Sequence, residues 1–305
     1  MRAIVLFFLL SGILSACDNG VTDKNTHHKL KIVTTIKPLQ SLVFAIAGNM
    51  VESTQLIPDG ATPHDYHFKP SDLRRIKKAD IIIQIDEHFE AFLQPALKAR
   101  KKESVLISLA DNEEISQLAL FSDQNHENQQ NHNHGNNDLH IWTSPKNTLI
   151  MAKAISNALI KADPENTEHY KENLTYFNSK VETLSVEIKN DLQEVRNKPY
   201  IVFHNSWQYF SDFTGLRKPT IVNMQHSVSS SAKNIANIRQ QILDKNIQCI
   251  FSEPNVRASQ VKVLTENRHM KTVEIDVMQS KLPLNKDTTI NWFKALGNDI
   301  ATCLQ

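Results

Sequence analysis

Three histidines lie far apart in the chain but share a local character. His64 sits in Gly60-Ala61-Thr62-Pro63-His64-Asp65-Tyr66, His140 in Asp138-Leu139-His140-Ile141-Trp142, and His204 closes Tyr200-Ile201-Val202-Phe203-His204. Imidazole nitrogen suits zinc and its transition-series neighbours, and three such ligands leave one coordination position open. A water in that position points to an enzyme, a carboxylate to a carrier. A single histidine at a strand end is more often a satisfied polar group than a ligand; three of them beside turn and aromatic residues reverse those odds. Asp276 reads as the fourth ligand, with the capping of a following helix as its alternative role. Glu253, in Ser252-Glu253-Pro254, reads as a supporting or capping carboxylate. Trp142 and Trp207 flank two of the histidines and read as packing that excludes water. His67 reads as a surface or supporting residue, and His88, His169, His226 and His269 as solvated.

Positioning these groups requires a scaffold, and the sequence describes one. Leu30–Ile36, Val51–Ile57, Asp80–Ile85 and Val105–Leu109 are short, rich in Ile and Val, and bounded by polar or turn residues. Leu39–Ala47 and Pro70–Lys78 have helical patterns between them. Tyr200–His204, Thr220–Met224, Cys249–Glu253 and Thr272–Asp276 repeat the style without a detectable repeat in sequence. Apolar strands alternating with helices argue for parallel sheets covered on both faces. Tyr170, Leu174, Phe177, Val181, Leu184, Ile188, Leu192 and Val195 place one apolar stripe along a helix of about 30 residues, roughly 45 Å long, ended by Lys198-Pro199. The expected fold is α/β: two lobes, each a parallel sheet flanked by helices, joined by one long rigid helix. The N-terminal lobe covers 29–145, the linking helices 146–197 and the C-terminal lobe 198–305. Open parallel sheets bind ligands beyond the carboxyl ends of their strands. His204 and Asp276 are expected as last residues of strands and His64 on the loop after another, so a metal would lie in the cleft between lobes.

Residues 122–138 are almost wholly Asn, Gln, His, Asp and Glu and cannot bury a core, so a mobile loop is expected. Its His126, His132 and His134 are candidate auxiliary metal ligands, weaker than a preformed cleft because binding must order them. At the N-terminus, Arg2 precedes the apolar run Ile4–Leu10, which leads to Leu14-Ser15-Ala16-Cys17. That is a secretory signal over 1–17, too short to span a membrane. Its ending resembles a bacterial lipobox, with Cys17 acylated and the polar residues 18–28 as a tether. Cys249 and Cys303 then remain, a natural disulfide pair in an exported protein, with two free buried thiols as the alternative. A formal net charge of +1 gives no bulk field for nucleic acid or an acidic membrane. No nucleic-acid partner is expected, and contact with the membrane is expected only through the lipid.

In the order and spacing of Gly60–Tyr66 through Pro70-Ser71-Asp72, the histidine-rich loop, Leu139–Pro145, Phe203-His204 and Phe251–Pro254, the chain resembles the metal-binding solute-binding proteins of bacterial ABC importers. Within their zinc/manganese cluster it is most similar to the ZnuA-type zinc-binding proteins. The resemblance covers nearly the whole mature chain. It implies two α/β lobes joined by a rigid helix, His64, His140 and His204 as zinc ligands with Asp276 or water completing the site, and a disulfide in the C-terminal lobe matching Cys249 and Cys303. It also implies a monomeric periplasmic carrier, not an enzyme, serving a membrane permease and its ATPase. Asp18, after the acylated cysteine, resembles the signal retaining such lipoproteins at the inner membrane. Histidine at the third position resembles the zinc carriers, whereas manganese relatives place a carboxylate there, as ligand hardness requires. The chain departs from the family in Asn205 after His204, where aspartate is common, and in Val277-Met278 after Asp276, where Pro-Leu is usual. The alternatives are a manganese or iron carrier, a metal-binding adhesin, and a zinc hydrolase. Against the last, the chain has no His-Glu-x-x-His helix and no nucleophile elbow.

Overall fold

The computed structural model describes residues 29–120, 137–222, 232–266 and 268–305. The signal, the tether, Cys17, His126, His132, His134 and His226 lie outside the described residues. The first sheet contains β1 (Lys31–Thr34), β2 (Glu52–Gln55), β3 (Ile81–Gln84) and β4 (Val105–Ser108), all parallel, in the order β2-β1-β3-β4. The second contains β5 (Tyr200–Val202), β6 (Thr220–Ile221), β7 (Cys249–Ser252) and β8 (Lys271–Glu274), also parallel, in the equivalent order β6-β5-β7-β8. The common topology was invisible in the sequence, since nothing but strand order is repeated.

Composition explains the layers. The inner strands β3 and β7 are buried at every position, as strands covered on both faces must be. The outer strands β2 and β8 carry Glu52, Lys271 and Glu274, whose charges keep exposed edges from pairing with other chains. On one face of the first sheet lie α1 (Lys37–Ala47), α4 (Pro145–Ala162) and part of α5 (Thr167–Leu192). On the other, α2 (Pro70–Lys78) and a single turn, α3 (Gln94–Leu97), bury Ile76, Leu93, Ala96 and Leu97. Proline opens α1, α2 and α4 in the first turn, where its missing N–H costs nothing. Ser144 caps α4 by accepting the Asn147 N–H at 3.2 Å. In the C-terminal half, α6 (Gln208–Thr214) and α9 (Thr288–Leu304) pack on one side of the sheet, and α7 (Ala232–Asp244) and α8 (Ala258–Thr265) on the other.

The long helix belongs to both cores. Tyr170, Phe177 and Val181 of α5 pack into the first, Leu184, Ile188 and Leu192 into the second. It has 26 residues, about 39 Å, not the 30 or so expected. After Leu192 the chain tightens into turns, with Val195 N–H bonded to Leu192 O and Lys198 N–H to Val195 O. Val195 stays buried, so the apolar stripe outlasts the helix. Two strand ends also differ from expectation: β5 stops at Val202 and β8 at Glu274, leaving His204 and Asp276 each two residues beyond. The β5 ladder ends where its last partner, Phe251, is paired.

Cys249 and Cys303 are disulfide-bonded, tying the last turn of α9 to the start of β7 across 54 residues. Closing a loop of that size stabilises by roughly 4 kcal/mol on the chain-entropy model. Guanidinium unfolding of the Cys249→Ser/Cys303→Ser chain should show a clearly lower midpoint; an unchanged midpoint would refute that contribution.

Candidate metal centre

His64 is placed by a 3-10 turn (Pro63–Asp65) on the loop after β2, its N–H accepted by Thr62 Oγ1 at 3.3 Å. His140 immediately precedes the turn Ile141–Thr143 that leads into α4. His204 follows β5, between the sheet and α6. One side-chain nitrogen from each lies within 4.8 Å of the other two. Ring centroids are 5.9 Å apart for His64–His140, 5.6 Å for His64–His204 and 4.9 Å for His140–His204. Tetrahedral zinc with bonds of about 2.0–2.1 Å requires nitrogens roughly 3.4 Å apart.

Two carboxylates stand behind the imidazoles. Asp138, 2 % exposed, accepts the His140 N–H at 3.0 Å through Oδ1, which also lies 2.6 Å from His140 Nδ1. Glu253 Oε1 lies 3.3 Å from His204 Nδ1 and accepts Ser206 Oγ–H at 2.5 Å. A carboxylate acceptor at Nδ1 keeps the proton there and leaves the Nε2 lone pair for a metal. Together the two carboxylates balance the charge of a divalent ion whose direct ligands are neutral. Burial opposes protonation of His204, but the hydrogen bond and charge of Glu253, with the charge of Asp138, hold its pKa above the ordinary imidazole value. Burial also works against ionising Glu253, yet His204 and Ser206 keep its pKa below the usual carboxylate range.

The cavity around the histidines is about 70 Å³ and includes Trp142, Ser206, Glu253, Asp276 and Met278 in its lining. Roughly 10–15 Å³ of such space holds one water, so the cavity admits a metal ion together with several waters. The Phe89 ring meets those of His64, His140 and Trp142 edge-on at centroid distances of 5.9, 5.9 and 5.6 Å, forming an apolar wall. Its loop is anchored by Glu90, fully buried, which accepts Thr35 Oγ1–H at 2.6 Å and the N–H groups of Ile85 and Asp86, each at 3.0 Å. Burial pushes the Glu90 carboxyl up to about 7.

Three of the four expected ligands converge. Asp276 lines the cavity but stands outside the set of mutually close donors. Its carboxylate accepts the Met278 and Lys281 N–H groups at 3.1 and 3.2 Å and Ser280 Oγ–H at 2.6 Å, organising its own loop rather than capping a helix. Trp142 and Trp207 are each 2 % exposed; Trp142 donates to Val277 O at 2.9 Å, and Trp207 stacks on Tyr200. His67, His88, His169 and His269 are exposed and take no part in the cluster. The sequence reading missed Asp138, which it assigned to the loop ending at 138. Asn137 and Asp138 instead join the folded body: Ala119 bridges Asn137, and Tyr209 OH donates to Asp138 O. The signal was the Asp-x-His spacing, which lets one carboxylate reach both the backbone and the ring of the histidine.

Two α/β lobes flanking a cavity lined by three histidines define a two-lobed metal-binding cleft protein. The family described as "Zinc-uptake complex component A periplasmic" (ZnuA) matches residues 32–303, and the chain belongs to this family. It is 29 % identical over 290 residues to the high-affinity zinc uptake system protein ZnuA of Yersinia pestis, with 90 % of this chain and 91 % of that protein covered. It is also 29 % identical over 310 residues to the ZnuA of Haemophilus ducreyi, covering 96 % and 98 %. A crystal structure of a zinc-bound ZnuA deletion mutant superimposes with a TM-score of 0.76 at 25 % identity, over 91 % of this chain and 98 % of that one. The fold is shared with the periplasmic zinc-binding protein TroA of Treponema pallidum, at a TM-score of 0.73 and 18 % identity over 90 % and 99 % of the two chains.

Removing an outer carboxylate should weaken metal binding roughly 10–100-fold without unfolding the chain. Titration calorimetry of Asp138→Asn and Glu253→Gln checks this, and wild-type zinc affinity in both would show that neither orients its imidazole. Metal binding needs neutral imidazole, and Glu253 raises the His204 pKa, so proton competition starts at a higher pH than for an ordinary histidine near 6.5. Glu253→Gln should therefore lower the pH at which the apparent zinc affinity begins to fall, measured by calorimetry across pH, while affinity at high pH is reduced.

Proposed function

We propose that the chain is the extracytoplasmic zinc-binding component of a high-affinity ABC zinc importer. It captures Zn²⁺ in the cleft between the lobes and delivers it to a membrane permease powered by its ATPase. The observation that carries this reading is the convergence of His64, His140 and His204 on one cavity, with a carboxylate behind two of the three rings. His64, His140 and His204 are the proposed zinc ligands. An all-nitrogen set favours zinc over manganese, which is the harder ion and prefers oxygen. Asp276 or water takes the fourth position. Asp276 Oδ1 accepts one N–H and keeps a further acceptor site, so capture by Asp276 requires its loop to approach the histidines; Asp276→Asn distinguishes the two, and unchanged zinc affinity assigns the position to water.

A carrier is preferred to a hydrolase because a hydrolytic site needs a free general base beside the metal-bound water. Glu253, the carboxylate lining the cavity nearest His204, is engaged by His204 and Ser206. All the proposed ligands come from one chain, so a monomer suffices. The histidine-rich segment, with His126, His132 and His134, is proposed as a weaker auxiliary zinc site.

A periplasmic location is proposed and is supported by the family's description as a periplasmic component; no helix among the described residues is long and apolar enough to cross a membrane. Acylation of Cys17 at the inner membrane is proposed from the lipobox-like Leu14–Cys17 and the Asp18 after it. More than one acyl chain gives stable anchoring where a single chain binds only marginally.

Alanine at His64, His140 or His204 should reduce zinc affinity by more than the roughly 10–100-fold expected for an outer partner. Calorimetry with zinc, then competition with manganese, tests both the ligands and the cargo; wild-type affinity in any two variants would overturn the assignment. Cell fractionation compares wild type with Cys17→Ser: the first should follow the membrane and the second should not. Equal recovery of both in the soluble periplasmic fraction would remove the anchor and leave the zinc site standing.

A further inference from the structure

We propose that the edge of the N-terminal lobe opposite the metal centre docks on a surface of anionic phospholipid headgroups. Two segments build this edge. Helix α2 carries Arg74, Arg75, Lys77 and Lys78, and the connection from α3 to β4 carries Lys98, Arg100, Lys101 and Lys102. All of these except Lys101 are classed as exposed. The net charge of the whole chain is only +1, so these eight cations are segregated rather than general.

Nearby acids do little to neutralise them. Asp72 is 1 % exposed and is held by Tyr66 OH, the Lys69 N–H and Arg75. Asp80 accepts Lys101 Nζ at 2.7 Å and the Lys31 N–H at 2.8 Å. Glu103 is the one exposed acid in these two segments. Asp80 also fixes the layout, because its backbone N–H bonds to Lys31 O at 2.7 Å and its carbonyl accepts the Val105 N–H at 2.9 Å. The last turn of α2, the 98–102 connection and the start of β1 therefore meet at one place. In a parallel sheet that place is the amino-terminal edge of the strands. The histidines lie beyond the carboxyl-terminal edges.

The course of the chain supplies an independent observation. The polypeptide enters the fold at Lys29–Lys31, on this same edge. Only 11 residues separate Cys17 from Lys29, and that 18–28 segment spans at most about 40 Å when fully extended. A lipid at Cys17 would thus hold the basic edge, not the cleft, next to the bilayer. That setting rests on the proposed acylation; the charge pattern does not.

The cations are five lysines and three arginines spread over a helix and a connection rather than gathered in a pocket. The lysines are flexible point charges, and cations spread over two segments suit a fluid anionic surface better than recognition of one group in a pocket. The contact would be electrostatic and confined to about a Debye length, roughly 8 Å at physiological salt. It would turn the metal cleft away from the bilayer and leave it open to arriving zinc.

Vesicle sedimentation tests this with the mature chain from Asp18 onward, made without lipid so that failure of the anchor and failure of the docking surface are distinguishable. Partition onto vesicles containing phosphatidylglycerol should exceed that onto phosphatidylcholine alone by at least about tenfold at low salt, since each cation near such a surface contributes about a fivefold factor. High salt should abolish the difference. The Lys77→Glu/Lys78→Glu/Lys98→Glu/Lys102→Glu chain should lose it while keeping wild-type zinc affinity, which controls for folding. A Lys171→Glu/Lys180→Glu chain, reversed on α5, should keep it. Equal partition onto both vesicles, or wild-type binding by the fourfold variant, overturns the proposal. If the fourfold variant impairs zinc uptake in cells but the wild type shows no preference for anionic vesicles, the edge serves an acidic protein and the lipid assignment is wrong.

Discussion

The structure depends on one helix that belongs to two hydrophobic cores. Pulling α5 out of either lobe would expose Tyr170, Phe177 and Val181 on one side or Leu184, Ile188 and Leu192 on the other. Each such side chain contributes roughly 1.5–3 kcal/mol by its burial, so the helix cannot leave one core while the other stays folded without a large penalty. The spacing between the sheets follows from this. Hydrogen bonds across the cleft add to it: Trp142 to Val277 O, Lys37 Nζ to Ser280 O at 3.1 Å, and Tyr209 OH to Asp138 O at 2.5 Å. A strut of this kind restricts hinge motion between the lobes that carry the three histidines.

Preorganisation matters because the direct donors are neutral. An imidazole triad carries no charge with which to attract a divalent ion into a partly enclosed cavity, so the attraction comes from behind the rings. Asp138 and Glu253 supply it, and each does so while fixing which nitrogen of its histidine is free. On the proposed ligand set, selectivity would come from the nitrogen donors at the ion, and part of the affinity from the carboxylates hydrogen-bonded behind them.

The two sheets share one strand order, and this brings their switch points face to face. His204 and Glu253 follow β5 and β7, the adjacent strands at which the order of the second sheet turns back. Thr35, Glu90 and Phe89 follow β1 and β3 at the equivalent place in the first. The first lobe uses its switch point to build an apolar wall on a buried carboxylate, and brings its ligands in on the loop after β2 and on the segment before α4. Similar topologies are thus put to different uses.

The sequence determined much of this. Periodic apolar residues announced both sheets and the long helix, because alternation of buried strands and amphipathic helices leaves few other architectures. Histidine, the only neutral nitrogen ligand among the side chains, marked His64, His140 and His204 before any contact was known. Asp138 was hidden, because a polar residue at the end of a polar tract looks like part of that tract until burial sets it apart. Asp276 read as a ligand because it follows a strand, yet which way a carboxylate turns depends on nearby N–H groups, and those of Met278 and Lys281 come into range only when the loop folds. The helix ended four residues early for a similar reason: Val195 could be buried from a turn as well as from a helix. Residue type and periodicity are written locally, so the sequence decided what each segment could be. Which donors meet depends on distances between histidines more than 60 residues apart, and only the packing of both cores on one helix decided those.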